Sequence, residues 1–149
     1  MNAWVLTVLY IGDKLARAEE ITDAKINAVA LNPFGETSSQ CRKLMKLTDR
    51  KRRLVNMQVL SHRLRCCLDE EEKELMRMCL EGLSYGDMSE VLGLSKATAY
   101  RRTKKAADKC EAALEKLGFC RERLENDYAD VRAVKSVYDS FVMRAPAAF

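Results

Sequence analysis

Asp69-Glu70-Glu71-Glu72 opens a stretch that resumes at Glu81-Gly82-Leu83-Ser84-Tyr85-Gly86-Asp87-Met88-Ser89-Glu90-Val91-Leu92-Gly93-Leu94-Ser95-Lys96-Ala97-Thr98-Ala99-Tyr100-Arg101-Arg102 and closes on a basic run before Gly118. Its punctuation is that of three short helices. Asp69 with Glu72, and Ser84 with Asp87, have capping-box spacing: the first side chain accepts from a free N–H of the opening turn and the second reaches back. Gly82 and Gly93 stand where a left-handed residue ends a helix. Only Leu94 separates Gly93 from Ser95, the next N-cap, so the second and third helices must cross steeply. That is helix-turn-helix geometry.

The apolar spacing agrees. Leu75, Cys79 and Leu80 fall on one face of the first helix, and Met88, Val91 and Leu92 on one face of the second. Ala99, Thr103 and Ala106 give the third a narrow inward line, with Leu94 plugging the turn and the small Ser89 placed for close helix approach. Left outward on the third helix are Lys96, Thr98, Tyr100, Arg101, Arg102, Lys104, Lys105 and Lys109, against the single acid Asp108. A solvated basic face is the plain explanation. Charge concentrated on the helix that such a turn offers to a groove favours DNA instead. The candidate DNA-binding set is Ser95, Lys96, Ala97, Thr98, Tyr100, Arg101, Arg102, Lys104 and Lys105. Position assigns Tyr100 and Arg101 to base edges, and Thr98, Arg102 and Lys105 to phosphates.

From Glu81-Gly82-Leu83-Ser84-Tyr85 to Leu92-Gly93-Leu94-Ser95-Lys96-Ala97-Thr98, the chain resembles the promoter-reading fourth region of bacterial sigma factors. With its Thr-x-Tyr-Arg continuation and basic, alanine-containing tail, it is still more similar to small phage and prophage transcriptional regulators built on that module. The resemblance covers about 50 of the 149 residues and reaches the N-terminal region only weakly. Ser89 stands where that family usually has alanine, and Ala99 where it usually has valine. The smaller Ala99 weakens the anchor of the third helix by about 1 kcal/mol. The resemblance implies contact with a promoter-like element of double-stranded DNA and with RNA polymerase. A chain of this length is expected to lack room for the sigma regions that bind core polymerase most strongly and melt DNA, which disfavours a complete sigma factor.

The rest of the chain reads as helix. Trp4, Val8, Ile11, Leu15 and Ala18 alternate spacings of four and three, predicting one helix over residues 3–31 that bends near Thr22 and Lys25. Asn32-Pro33-Phe34-Gly35 breaks it, and Thr37-Ser38-Ser39 forms a capping linker. A long helix is expected over residues 40–68, its stripe starting at Leu44 and Leu47 and resuming at Leu54, Met57, Leu60, Leu64 and Cys67. Residues 42–65 hold nine cations against Asp49 alone. Those cations either pair with the acidic segment 69–74 or form a second phosphate-contacting surface. After Gly118, Leu124, Tyr128, Val131, Val134, Tyr138 and Phe141 predict one amphipathic helix over residues 119–144, ended by Pro146 with a disordered tail.

Two prolines and six glycines leave little scope for a turn-rich β fold, and the net charge of +4 is modest, so charge distribution matters more than its sum. The apolar run at residues 3–12 is too short to span a bilayer and lacks the flanks of a secretory signal, which predicts a cytoplasmic protein without a membrane partner. Six cysteines without a C-x-x-C pair predict no disulfide framework; His62 and Cys66 share a helix turn, but no second ligand pair completes a zinc site. One histidine, and no nucleophile or phosphate-loop motif, argues against an enzyme and a cofactor. The acids at 70–74 suit the positive end of a helix and need no catalytic explanation.

The expected fold is all-α: an N-terminal helical hairpin (1–68), a helix-turn-helix module (69–118) and a C-terminal amphipathic helix with a tail (119–149). The expected function is sequence-specific DNA binding that regulates transcription, in a phage or mobile element. The competing readings are a DNA-packaging recognition subunit of small-terminase type and a protein-interaction module without DNA. A homodimer through the long apolar seams competes with a monomer whose helices cover one another.

Overall fold

Asn2 opens the first helix, its side chain accepting from the Trp4 amide at 2.9 Å. This helix, α1 (Ala3–Ile11), buries Trp4, Val5, Thr7, Val8, Leu9 and Ile11. A helix apolar nearly all round must sit inside a protein, and α1 does: it packs against α3 (Thr37–Cys66) and α8 (Arg132–Ala148). The computed structural model describes residues 1–148, with backbone alone at Asp13 and residues 145–148. All regular structure in this range is helical, completed by α2 (Ala16–Ala30), α4 (Glu70–Leu80), α5 (Tyr85–Leu92), α6 (Lys96–Lys116) and α7 (Arg121–Tyr128).

The single helix expected over residues 3–31 is two helices. A 3-10 turn, Gly12–Lys14, divides α1 from α2, and α2 runs uninterrupted through Thr22 and Lys25. The cause is contact, not helix propensity. A β-carbon on Gly12 would lie 2.2 Å from both Cβ and Oγ of Ser61 on α3, so only a bare backbone can approach there. The seam survives the break: Trp4, Val8, Ile11 and Leu15 are all buried.

The long helix α3 is 30 residues and starts at Thr37, so the expected Thr-Ser-Ser linker lies in its first turn. Its second half buries Leu54, Met57, Leu60 and Leu64 against α1, while Leu44 and Leu47 are only half-buried where α2 lies along the first half. The hairpin end is apolar and exposed, with Phe34 at 95%, Leu31 at 80% and Met45 at 72%.

The expected C-terminal helix is also two. The chain turns at Ala129 and Asp130, where Arg53 of α3 pairs with the Asp130 carboxylate and donates to the Asp127 carbonyl at 2.8 Å. Tyr128 donates its hydroxyl to the Arg53 carbonyl at 2.8 Å, and burial pushes that phenol up to about 12. These bonds to a neighbouring helix stop α7 and let Val131 turn inward. Contrary to expectation, the last helix is not ended by Pro146 but runs to Ala148, where a proline costs one N–H in a final turn; the expectation that the last residues are disordered falls in part on Phe149, outside the described residues. On α8, Tyr138 stacks on Trp4 with ring centroids 4.4 Å apart. One buried cluster joins α1, the second half of α3, α7 and α8 to Met76, Ala106, Ala107, Cys110 and Leu114. It therefore draws on all three expected segments. Among the described residues no helix is long and apolar enough to cross a membrane.

Candidate nucleic-acid interface

The module α4–α5–α6 is built by its caps. Asp69 accepts from the Glu72 amide at 2.8 Å. Glu72 turns elsewhere, so only half of the expected box forms there. At α5 the box is complete: the Asp87 amide donates to Ser84 Oγ at 3.2 Å and the Ser84 amide to Asp87 Oδ2 at 3.1 Å. The Ser84 hydroxyl and amide hold the Asp87 carboxyl below its usual range. Gly93 has φ +64°, and the next amide, Leu94, donates to the Ser89 carbonyl at 3.1 Å. Ser95 then caps α6 by accepting from the Thr98 amide at 3.2 Å. The three helices close on a satellite core of Leu75, Met78, Met88 and Ala99, with Cys79, Leu83, Tyr85 and Leu92 around it.

Two inward expectations fail. Val91 is 64% exposed, and Leu94 is half-buried, covering the turn instead of filling it. Met78, which the three-and-four spacing passed over, takes the core position, because α4 is gripped on two sides: Leu75 and Met78 by α5 and α6, Met76 by the larger cluster.

On α6 the inward line of Ala99, Thr103 and Ala106 is fully buried and extends through Ala107, Cys110 and Leu114. Burial pushes the Cys110 thiol up to about 12. At about 100° per residue, Arg101 and Lys105 lie opposite this line, with Ala97 and Thr98 beside them. Lys96, Ala97, Arg101, Lys104 and Lys105 are exposed; Thr98 is half-buried, its hydroxyl 2.8 Å from that of Ser95.

Tyr100 and Arg102 occupy the flanks. Tyr100, 37% exposed, packs edge to face on Tyr85 with centroids 5.3 Å apart. Arg102 pairs with Glu71 of α4, and Lys109 Nζ with Glu72 Oε1 at 2.5 Å. The acidic start of α4 thus pairs with α6 and, through Glu70 with Lys73 and Glu74 with Arg77, with its own helix. Among the described residues, the ion pairs of segment 69–74 run to α6 and within α4, against the expected pairing with the cations of α3. Those cations find other partners: Lys51 pairs with Asp23 at 2.6 Å, Arg52 and Arg53 with Asp49 at 2.6 and 3.2 Å, and Arg65 donates to the Leu9 carbonyl at 2.9 Å. Arg42, Lys43, Lys46, Arg50 and Arg63 are exposed on the same helix. The Tyr85–Tyr100 and Glu71–Arg102 contacts have no periodic signature, since the first joins α5 to α6 across the turn and the second joins α4 to α6 with α5 between them in sequence.

His62 Nε2 and Cys66 Sγ approach to 3.5 Å, yet among the described residues no group of three or more His, Cys, Asp or Glu side chains is placed to hold a metal. The cysteines are free thiols.

Compared with known proteins, residues 12–116 match the family model described as ECF sigma factor. That match takes in α2 and α3 as well as the helix-turn-helix, a longer likeness than the motif residues alone carry. No curated protein and no solved structure matches the chain.

Proposed function

The chain belongs to the ECF sigma factor family, a family of DNA-binding transcription regulation, and from that membership we propose that it is a sequence-specific regulator whose α6 enters the major groove. The observation that carries this is the α5–α6 turn. Gly93 in the left-handed region and the Ser95 cap present the first turns of α6 with Arg101 and Lys105 pointing away from the buried line. That is the presentation a recognition helix needs.

In this proposal Arg101 reads a base edge, with Tyr100 beside it steadied by Tyr85. Lys105 and Thr98 hold phosphates, and Ser95, Lys96, Ala97 and Lys104 line the approach. Arg102 reaches phosphate by exchanging Glu71 for it. The segment 69–118 is the reading unit, with 1–68 and 119–149 as its platform. Membership in a sigma family adds RNA polymerase as the protein partner, and the Thr-x-Tyr-Arg continuation supports a phage or mobile-element setting. A homodimer, where it forms, uses the exposed end of the α2–α3 hairpin, because the long seams are buried within the chain. No catalytic step and no cofactor enters the proposal.

Selection of bound fragments from random duplex DNA by the full chain tests it. A recurring short motif is expected; recovery of unrelated sequences, or of no DNA at low salt, contradicts it.

A further inference from the structure

Four cationic side chains from four elements converge on a cleft that borders none of α5 or α6: Lys14 of the 3-10 turn, Arg65 of α3, Arg77 of α4 and Arg144 of α8. The cleft is open to solvent and has a volume of about 640 Å³, with Tyr10 among its lining residues. Among its described lining residues the one acid is Glu81, which pairs with Arg77. Arg65 and Arg77 are fixed walls, the first donating to the Leu9 carbonyl at 2.9 Å and the second held by Glu74 at 2.5 Å. Lys14 lies along a ring at the opening, its Nζ 3.6 Å from the Tyr10 centroid. Arg144 sits 5.8 Å from that of Phe141. Glu74 and Glu81 offset the Arg77 charge, so the field that concentrates anions in this concave site comes chiefly from Lys14 and Arg144 at its edge. Tyr10 registers that field: Lys14 foremost, and Arg144 after it, draw its phenol below the usual value.

Arg65 and Arg77 also serve the fold, through the Leu9 carbonyl and Glu74, whereas Lys14 and Arg144 touch aromatic rings at the cleft. The core under the cleft is closed by Leu9 and Phe141, both buried, and the cations lie outside it. The volume falls within the roughly 300–1,000 Å³ of small-molecule sites and far exceeds what one inorganic phosphate fills. The half-buried Tyr10 ring packs edge to face with Phe141, centroids 5.7 Å apart, and carries Lys14 on a face that a planar group can take by displacing the lysine.

We propose that this cleft binds a nucleotide carrying two or more phosphates, with the phosphates on Lys14, Arg77 and Arg144 and the base on the Tyr10 ring. The ligand bridges the end of α1, the last turn of α4 and α8, and so ties the helix-turn-helix to its platform at a point remote from α6.

Calorimetric titration of the full-length protein with ADP, GDP, pyrophosphate and sulfate at matched ionic strength tests this without DNA. Saturable one-to-one binding of a nucleoside diphosphate is expected, weaker for pyrophosphate and absent for sulfate. Lys14→Gln and Arg144→Gln should each weaken it roughly tenfold, the loss of one charge-assisted contact, with the melting temperature of the unliganded protein unchanged. Lys14→Arg, which keeps the charge, should retain binding if Lys14→Gln proves unstable. Four results overturn the proposal: no nucleotide binding; sulfate as effective as nucleotide, meaning an adventitious anion only; pyrophosphate as tight as nucleotide, which removes the base from the site; or duplex DNA displacing the nucleotide and itself weakened by the same two substitutions, which would make the cleft part of a DNA-backbone contact.

Discussion

Two glycines in this chain are irreplaceable for opposite reasons. At Gly93 the backbone is left-handed (φ +64°) and nothing lies within 4 Å of where a β-carbon would sit, so any cost of substitution is conformational. Gly93→Val should lower stability by about 1–2 kcal/mol or more, and Gly93→Asn should recover part of that, since asparagine tolerates the region better. At Gly12 the backbone is ordinary helix and the obstacle is Ser61. Gly12→Ala should cost about 1–3 kcal/mol through overpacking, and adding Ser61→Gly should restore most of it. Thermal melting of the four variants checks both accounts. A Gly12→Ala protein that melts like the wild type would mean that α1 and α3 do not approach there. Gly93 was legible in the sequence because turn chemistry is local. Gly12 was not, because its partner is 49 residues away and no spacing within α1 announces it.

At the scale of the element, the α5–α6 turn is legible in the sequence: the Ser84 and Ser95 caps, the turn glycine and the inward line of α6 are local patterns that the packing respects. The failures lie where one helix meets two neighbours, or where a periodic stripe hides a break. Val91 continues the apolar pattern of α5 but faces solvent. The stripe of residues 119–144 runs unbroken through the Ala129–Asp130 turn, because Val131 and Val134 resume the same phase. The acids at the start of α4 do stand in its first turn, where the dipole favours them, but their partners between helices are two cations of α6 and not those of α3, a contact that no spacing announces. This contact has a measurable consequence. Glu71→Gln should free Arg102 for phosphate, tightening binding to all duplexes and steepening the slope of log K against log salt by about 0.9. The exposed pair is worth about 0–1 kcal/mol to the fold, so melting should barely move. An unchanged slope would mean that Arg102 does not reach DNA.

For the whole molecule, the seams that suggested self-association are spent inside the chain: α1, the second half of α3, α7 and α8 bury them against one another. The same cluster takes in Met76, Ala106, Ala107, Cys110 and Leu114. A fragment of residues 69–118 should therefore be monomeric and bind DNA weakly, while exposing one side of α4 and α6 and melting well below the full chain. Sedimentation of the full chain separates the remaining possibilities. If it self-associates, Leu31→Ser with Phe34→Ser should abolish this without lowering the melting temperature. A dimer that survives both changes would place the interface elsewhere.

In the proposed function, α6 reads sequence through Arg101 while Lys105 supplies charge alone. The most direct measurement is the affinity of the wild type, Arg101→Ala and Lys105→Ala for the selected duplex and for single-base variants of it, at several salt concentrations. Arg101→Ala should cost roughly 1–3 kcal/mol on the preferred site and flatten discrimination at one base pair. Lys105→Ala should weaken all duplexes alike and reduce the salt slope by about 0.9. If both substitutions lower affinity uniformly and leave every base preference intact, α6 is not the reading helix.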